Sequence, residues 1–520
     1  MESGSTRPKR GGLKGITKNL SSGFSSHVVS ALQQLALTPL FLRNYGAAGY
    51  GEWLTLSASI SYLATLDFGI QTYVNQDLTV RYHRGDMDGL HTQQSTALRM
   101  LLGICVVVTL LALLIWLMPV DQWLKMDGSG PGPKLSPMVV SGTVFALALM
   151  VLANIIFGFF VGQFMVLGIS YIGQYWANAK NALVILVSVP CLILKTSFAV
   201  IALAQLLAVL VCIVGILITL FRMGREIFPT LRYWDGSSVG AILRPSAYFA
   251  LLFSTNFLVY QVPVLILARG VGPVEVAIFG TTRTIFSMAR QVLNSVTQAI
   301  GPEVTSLYAK GDWTRLSRLY DYSERIVFSL IPVVNLGTLF LGPVLAALWL
   351  HDSKLFTPGT YVLFAAISVV LSAKEHKYQF QVSTNTHREL SRFMFGSYVV
   401  LVGVWWVAVG RFGMIGIIVA WLVVEVVQML YIMRLNTRFF AHHEELDTKY
   451  PLRLAVLCSV ALVASLRVLP YTALLPLVTQ IALAVGVGAL LSAIVIPVFN
   501  LAPIWGTVRG RVMTKLGRAQ

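Results

Sequence analysis

The sequence predicts an all-α polytopic membrane protein with about fourteen transmembrane helices. Three observations carry that prediction. Apolar stretches about twenty residues long recur from end to end, the length an α-helix needs to cross hydrocarbon about 30 Å thick. The 520 residues are 56% hydrophobic and only 12% charged, with mean hydropathy +0.73; a soluble chain carries roughly twice that charge density. Lys and Arg concentrate in alternate loops, the pattern of a chain that crosses a membrane repeatedly.

Taken in order, the first span, 18–42, follows a basic tail (1–17) containing Arg7, Lys9, Arg10 and Lys14, and stops before Arg43. The second, 52–75, and the third, 97–118, flank a polar turn at Arg84–Asp86. The Gly/Pro-rich segment Gly128–Pro133 separates the third span from the fourth, 137–161. Spans 172–194 and 198–221 complete a first group of six. A linker at 222–244, with Arg222, Arg225, Arg232 and Arg244, leads to spans 245–268 and 274–300. The Lys310–Asp312 turn, with Arg315 and Arg318 after it, precedes 325–349. Spans 358–380, 393–409 and 414–433 close a second six, and after a loop at 437–452 come 453–469 and 472–498. The predicted organisation is therefore an N-lobe (18–221), a linker (222–244), a C-lobe (245–436), a loop (437–452), an extra helix pair (453–498) and a basic tail (499–520).

With the N-terminus inside, tails and inner loops hold about 26 of the 39 Lys and Arg, and outer loops about eight. Both termini are expected in the cytoplasm. The net charge of +17 is then a topology signal plus attraction to anionic lipid, and requires no nucleic-acid partner. The polar, basic N-terminus lacks the apolar core of a removable signal peptide. Cys105, Cys191, Cys212 and Cys458 lie in apolar spans without metal-ligand spacing and read as packing residues. No phosphate-binding loop, dinucleotide fingerprint, zinc-protease or nucleophile-elbow motif is present, and no outer loop exceeds about twenty residues. The expectation is a transporter without metal or organic cofactor, whose energy source is a proton gradient, a sodium gradient or the membrane potential.

An internal repeat appears when residue n is set against residue n+226. Arg43, Gly46, Thr55, Ser61, Thr79, Tyr82, Gly85, Asp86, Leu90 and Arg99 meet Arg269, Gly272, Thr281, Ser287, Thr305, Tyr308, Gly311, Asp312, Leu316 and Arg325. The matches fall at equivalent topological places, six helices apart. An even number gives copies of the same orientation, and parallel repeats place a substrate path between two lobes.

The stretch Pro39 to Gly69, PLFLRNYGAAGYGEWLTLSASISYLATLDFG, resembles the start of the polysaccharide-specific flippases of the multidrug/oligosaccharidyl-lipid/polysaccharide exporter superfamily. It carries a proline-aliphatic helix end, Arg-x-Tyr-Gly, Tyr-Gly-x-Trp and Asp-Phe-Gly, and the turns at Arg84–Asp86 and Lys310–Asp312 fit the same pattern. The clear match covers about 60 residues, and the topology extends it over the chain. The resemblance implies two six-helix lobes around a central cavity worked by alternating access, with a polyprenyl-pyrophosphate-linked oligosaccharide as cargo. It implies a bacterial cytoplasmic membrane, and partners among membrane lipid, a polysaccharide polymerase and its chain-length machinery. It also implies a groove for the lipid tail at helices 13 and 14.

Ionisable residues at membrane depth are costly and by default face a cavity or a partner. On the eighth span Arg283, Ser287, Arg290, Asn294 and Gln298 step by four, three, four and four, one helix face. Two guanidiniums there suit a pyrophosphate; the alternative is that Arg290 pairs with Glu303 or Asp67, or that both arginines reach the interface. On the first span Ser22, Ser26, Ser30 and Gln33 or Gln34, with His27 beside them, form a polar stripe for a glycan or for interhelical hydrogen bonds. Lys374, Glu375, His376 and Lys377 read either as a cationic cytoplasmic mouth or as helix-end side chains reaching the interface. Lys180, beside Asn178 and Asn181, reads either as a cavity cation or as an interface anchor, the anchor being favoured. Asp67 and Glu425 are isolated intramembrane acids, each suited to a coupling proton; for Asp67 the competing role is structural, at the Phe68-Gly69 turn. Trp53, Trp116, Trp123, Trp349, Trp405 and Trp406 are expected in the aromatic belts.

Three classes of function follow. A flippase for lipid-linked oligosaccharides leads. A cation-coupled drug or metabolite antiporter is second, disfavoured by the excess of basic over acidic groups at depth. A membrane polymerase or ligase is third, disfavoured by the short outer loops.

Overall fold

A computed structural model describes residues 13–126, 135–384, 386–441, 446 and 449–502, with the side chains of 13–28, 30, 31, 245, 248, 249, 252 and 253 outside the description. The described chain is helical, and it divides into two compact units, Met1–Ala277 and Ile278–Gln520.

In the first unit, α1 (Leu13–Ile60) runs through two crossings joined at Gly46, whose φ of 70° and ψ of 178° lie outside helical space. Aromatics hold this corner: Phe41 stacks on Trp53 at 5.3 Å, and the Tyr45 hydroxyl donates to the Thr196 carbonyl at 2.6 Å. The second crossing tightens into a 3-10 segment, Ser61–Asp67, and resumes as α2 (Ile70–Arg84). There follow α3 (Met87–Ala112), the short α4 (Val120–Leu124), α5 (Pro137–Val166), α6 (Ser170–Ile193) and α7 (Phe198–Met223). The seventh crossing is α8 (Gly236–Tyr260) continued by α9 (Val262–Gly270). The packing of α8 against α2, α3 and the 3-10 segment places this crossing in the first unit, beyond the linker at 222–244. On α5, Gly158 and Gly162 receive Gln71 and Asn75 of α2 so closely that a β-carbon at either would meet those side chains at 2.3 and 2.0 Å. Small residues four apart allow that approach.

The division falls inside α10 (Pro273–Ala299). The second unit continues through α11 (Gly301–Ala309), α12 (Trp313–Leu348), α13 (Pro358–Ser383) and α14 (Arg388–Phe440). Like α1, α14 contains two crossings, joined at Gly413 (φ 57°, ψ −142°). Then come α15 (Lys449–Thr472) and α16 (Leu477–Val498), packed on α12 through Tyr450, Leu454, Cys458, Val495 and Phe499 against Val327, Phe328 and Ile331. Joined across their breaks, the described helices make fourteen segments; eight helices, α14 counted once, are long and apolar enough by themselves to cross a membrane. Broad exposed apolar faces on α3, α7, α14, α15 and α16 are what lipid contact requires. This is a multi-pass membrane protein.

The two copies of the repeat share local geometry. Gly85 and Gly311 both take left-handed conformations (φ 79° and 68°), ending a helix as glycine does readily. Asp86 and Asp312 then cap the next helix, accepting from Gly89 N at 3.0 Å and Arg315 N at 3.2 Å. The Thr79 and Thr305 hydroxyls bond back to the carbonyls of Asn75 and Gly301. Arg99 lies 5.6 Å over Trp234, and Arg325 lies 4.8 Å over Tyr450. In each unit the arginine of one crossing stacks on an aromatic ring that follows the sixth helix of its repeat.

Candidate functional site

In the first unit a cavity of about 480 Å³ opens beside the 3-10 segment, lined by Ser61, Thr65, Asp67, Asn256, Tyr260 and Gln261 among others. Asp67 Oδ1 accepts the Gly69 N–H at 2.9 Å, and Phe68 takes a left-handed conformation (φ 48°) to close the turn. The carboxylate thus has a structural bond and a cavity face at once. Gln34 Oε1 is buried without a hydrogen-bond partner among the described residues. The His27 side chain, like those of Ser22, Ser26 and Ser30, lies outside the described residues. Lys180 donates to Asn154 Oδ1 at 2.5 Å and lies 4.9 Å over Phe157, so it is tied to α5 inside the bundle and is not an interface anchor.

The second unit holds three ion pairs arranged around α13. The Lys374 ammonium pairs with Glu425 and donates to Gln428 Oε1 at 2.8 Å and the Tyr398 hydroxyl at 3.1 Å. Glu425 also accepts from Tyr398 at 2.7 Å and from Trp421 Nε1 at 2.9 Å. One turn on, Lys377 pairs with Glu324, donates to Tyr320 at 2.7 Å and lies 4.2 Å over the Tyr320 ring. Asn436 donates to the Lys377 carbonyl at 3.2 Å and accepts from Gln381 at 2.6 Å. Beside them His376 and Ser323 share a hydrogen bond of 2.9 Å. The third pair, Arg290–Glu375 at 3.3 Å, is the most open, with side chains 14% and 27% exposed.

These positions revise several expectations. Lys374 and Lys377 form neither a cytoplasmic mouth nor an interface anchor, because both ammoniums are buried at 5% and 2% exposure and neutralised by acids. Lys374 lies about 5 Å from the midpoint of α13 at 1.5 Å per residue, too deep to reach the interface. Glu425 is not isolated; it accepts from three donors and is fully buried. Arg290 pairs with Glu375, in place of Glu303 or Asp67. Trp405 is buried and donates to the Ile417 carbonyl at 2.8 Å, and Trp53 is buried among aromatics, so neither belongs to a belt. Sequence reasoning missed Glu324, Tyr320, Tyr398 and Gln428. Glu324 was hidden because α12 begins at Trp313, three turns before the apolar run at 325; the spacing of Tyr320 and Glu324 by four was its available signal.

On α10, Ser287, Arg290 and Asn294 are half-buried, and the Arg283 guanidinium lies 5.5 Å over Phe279. Helical spacing keeps the four on one stripe. The charged stripe and the ion pairs offer binding and conformational chemistry, with two arginines able to meet oxyanions. Among the described residues no group of His, Cys, Asp and Glu has the arrangement of a metal site, and the four cysteines are free thiols.

No protein-family model matches the chain, and no curated protein sequence matches it. Solved structures do. An inward-facing multidrug resistance MATE family transporter of the MOP superfamily superposes with a TM-score of 0.63 at 17% identity, covering 81% of this chain and 94% of that one. The lipid II flippase MurJ, in an inward closed conformation, gives 0.67 at 9% identity, covering 93% of this chain and 99% of that one. The MATE multidrug transporter DinF-BH gives 0.56 at 14% identity, covering 85% and 99%. The fold is that of the polytopic helical transporters and flippases represented by these structures.

Proposed function

We propose that this protein is a flippase that moves a polyprenyl-pyrophosphate-linked oligosaccharide from the inner to the outer leaflet by alternating access, for surface polysaccharide assembly. The observation that carries the reading is the extent of the likeness. The lipid II flippase matches 93% of this chain, where the MATE transporter matches 81%. A cargo with a lipid tail and a charged, sugar-bearing head needs protein surface for both, and no covalent step.

Arg283 and Arg290 take the pyrophosphate in this reading, with Ser287 and Asn294 beside the glycan. Arg290 suits the task because its pair with Glu375 is partly open, so a phosphate oxygen can reach the guanidinium alongside the carboxylate. Lys374 and Lys377 serve the scaffold and are not cargo ligands. The polymerase and chain-length machinery of the same surface polymer are the proposed partners, acting on the product at the outer face.

The test uses cells lacking the gene, with extraction of lipid-linked oligosaccharides and assignment of the leaflet that holds them. Complete repeat units confined to the inner leaflet, restored by the parent protein and not by Arg283→Gln/Arg290→Gln at equal protein level, are the expected result. A Glu375→Gln companion separates loss of a pyrophosphate ligand from loss of the ion pair. A second reading, a cation-coupled antiporter, is favoured by one observation: the Asp67 carboxylate lines a cavity that also offers Ser61, Thr65, Asn256 and Gln261. Unchanged lipid-linked glycans together with accumulation of a cationic dye in the deletion strain would select it.

A further inference from the structure

A second cavity, of about 610 Å³, lies along α3, and its walls include Leu66, Arg99, Met100, Gly103, Val107 and Trp234. Apart from Arg99 and the indole of Trp234 its lining is apolar, and its neighbours Val106, Leu110 and Leu111 are exposed. In a membrane protein such a face meets acyl chains. Arg99 and Trp234 mark its other end, as residues at the level of lipid head groups do. From Arg99 to Val107 the groove descends about 12 Å, eight residues at 1.5 Å each. It has the shape of a charged head group with an alkyl chain attached.

The head end is built. The 225–235 segment is fastened to α3 by the polar run Gln94, Ser95 and Thr96. Gln94 donates to the Ile227 carbonyl at 2.9 Å, Ser95 to the Thr230 carbonyl at 2.7 Å, and Thr96 accepts from Asp235 N at 3.3 Å. The Arg99 guanidinium donates to the Leu231 carbonyl and lies 5.6 Å over Trp234. Of its five N–H donors, that bond spends one among the described residues. The nearby carboxylate of Asp235 is occupied by Ser237 and Ser238, whose hydroxyls donate at 2.7 and 2.5 Å. Arg222, Arg225 and Arg232, in or next to the segment that carries Trp234, are exposed and add positive charge, which attracts anionic lipid.

We propose that this groove is a binding site for an anionic glycerophospholipid, with its phosphate on Arg99 and one acyl chain along Met100, Gly103 and Val107. The site is independent of the cargo proposed above. Leu66 of the groove adjoins Asp67 of the first cavity in the same 3-10 segment. Short 3-10 stretches within longer helices often mark hinges, so a chain seated in the groove bears on the wall of the first cavity.

Native mass spectrometry of the full-length protein in detergent, with equal amounts of phosphatidylglycerol and phosphatidylcholine, tests the site. The parent should retain phosphatidylglycerol preferentially and melt at a higher temperature in its presence. Arg99→Gln should lower that retention about tenfold, the effect of one charge-assisted hydrogen bond, and abolish the preference. Gly103→Phe obstructs the groove from an exposed position where a β-carbon meets no atom within 4 Å; it should keep the melting temperature of the lipid-free parent and lose the lipid-induced shift. Equal retention of the two lipids by the parent, or parental binding by either variant, overturns the proposal. Preference for undecaprenyl phosphate over phosphatidylglycerol at this groove overturns the assigned occupant.

Discussion

Lys374 shows why a charge at membrane depth is read correctly in kind and wrongly in purpose. Its ammonium meets a carboxylate, an amide and a phenol brought from α14, 51, 54 and 24 residues away in sequence. Removing one member of a buried pair strands the other, at a cost of about 3–5 kcal/mol. Lys374→Met alone and Glu425→Leu alone should therefore each lower stability by about that amount in detergent melts. Lys374→Met combined with Glu425→Leu should recover most of the loss, giving a favourable interaction energy in the double-mutant cycle. Independent, additive losses would show that the pair contributes nothing as a pair. The sequence displays the sign and depth of Lys374, Lys377 and Glu425 but not their pairing, because pairing depends on which faces of α12, α13 and α14 meet. Arg283, Ser287, Arg290 and Asn294 were legible as a group because they share one helix, whose periodicity needs no tertiary knowledge.

Among the elements, the turns at Arg84–Asp86 and Lys310–Asp312 announced themselves through glycine followed by a capping aspartate, and both aspartates do cap. Asp86→Ala and Asp312→Ala should each cost about 1 kcal/mol, measured by thermal unfolding. Asp86 should cost more of the two, because its ion pair with Arg81 at 2.9 Å is shorter than the Asp312–Arg315 pair at 3.4 Å, whose arginine is largely exposed. The corner at Gly413 makes a stricter demand. Its φ of 57° with ψ of −142° is backbone space that side chains avoid, while a β-carbon there would touch nothing within 4 Å. Gly413→Ala should still lose about 1–3 kcal/mol, all of it backbone strain, read from the same melts. The 3-10 stretch Ser61–Asp67 was not legible, since no glycine or proline interrupts it; only the Asp-Phe-Gly at its end hints at an interruption.

At the scale of the whole molecule, hydropathy and loop charge were enough to count fourteen crossings, because each must satisfy its backbone internally and present apolar side chains. The seventh crossing's place in the first unit was not visible, because loop length and charge say nothing about which neighbour a helix packs on. The orientation is a prediction with a direct check. In a cysteine-free background a membrane-impermeant maleimide should label Lys354→Cys in intact cells and leave Lys310→Cys unlabelled until the membrane is opened. The reverse pattern would invert the topology. The three ion pairs around α13 have an electrical consequence. Moving one elementary charge through 100 mV changes the free energy by about 2.3 kcal/mol. Lys374 with Glu425, Lys377 with Glu324 and Arg290 with Glu375 sum to zero charge, so displacing these pairs across the bilayer does no work against the potential. Under the proposed function the voltage then acts on the cargo: an inside-negative potential drives an anionic pyrophosphate outward, the direction in which that reading has it carried.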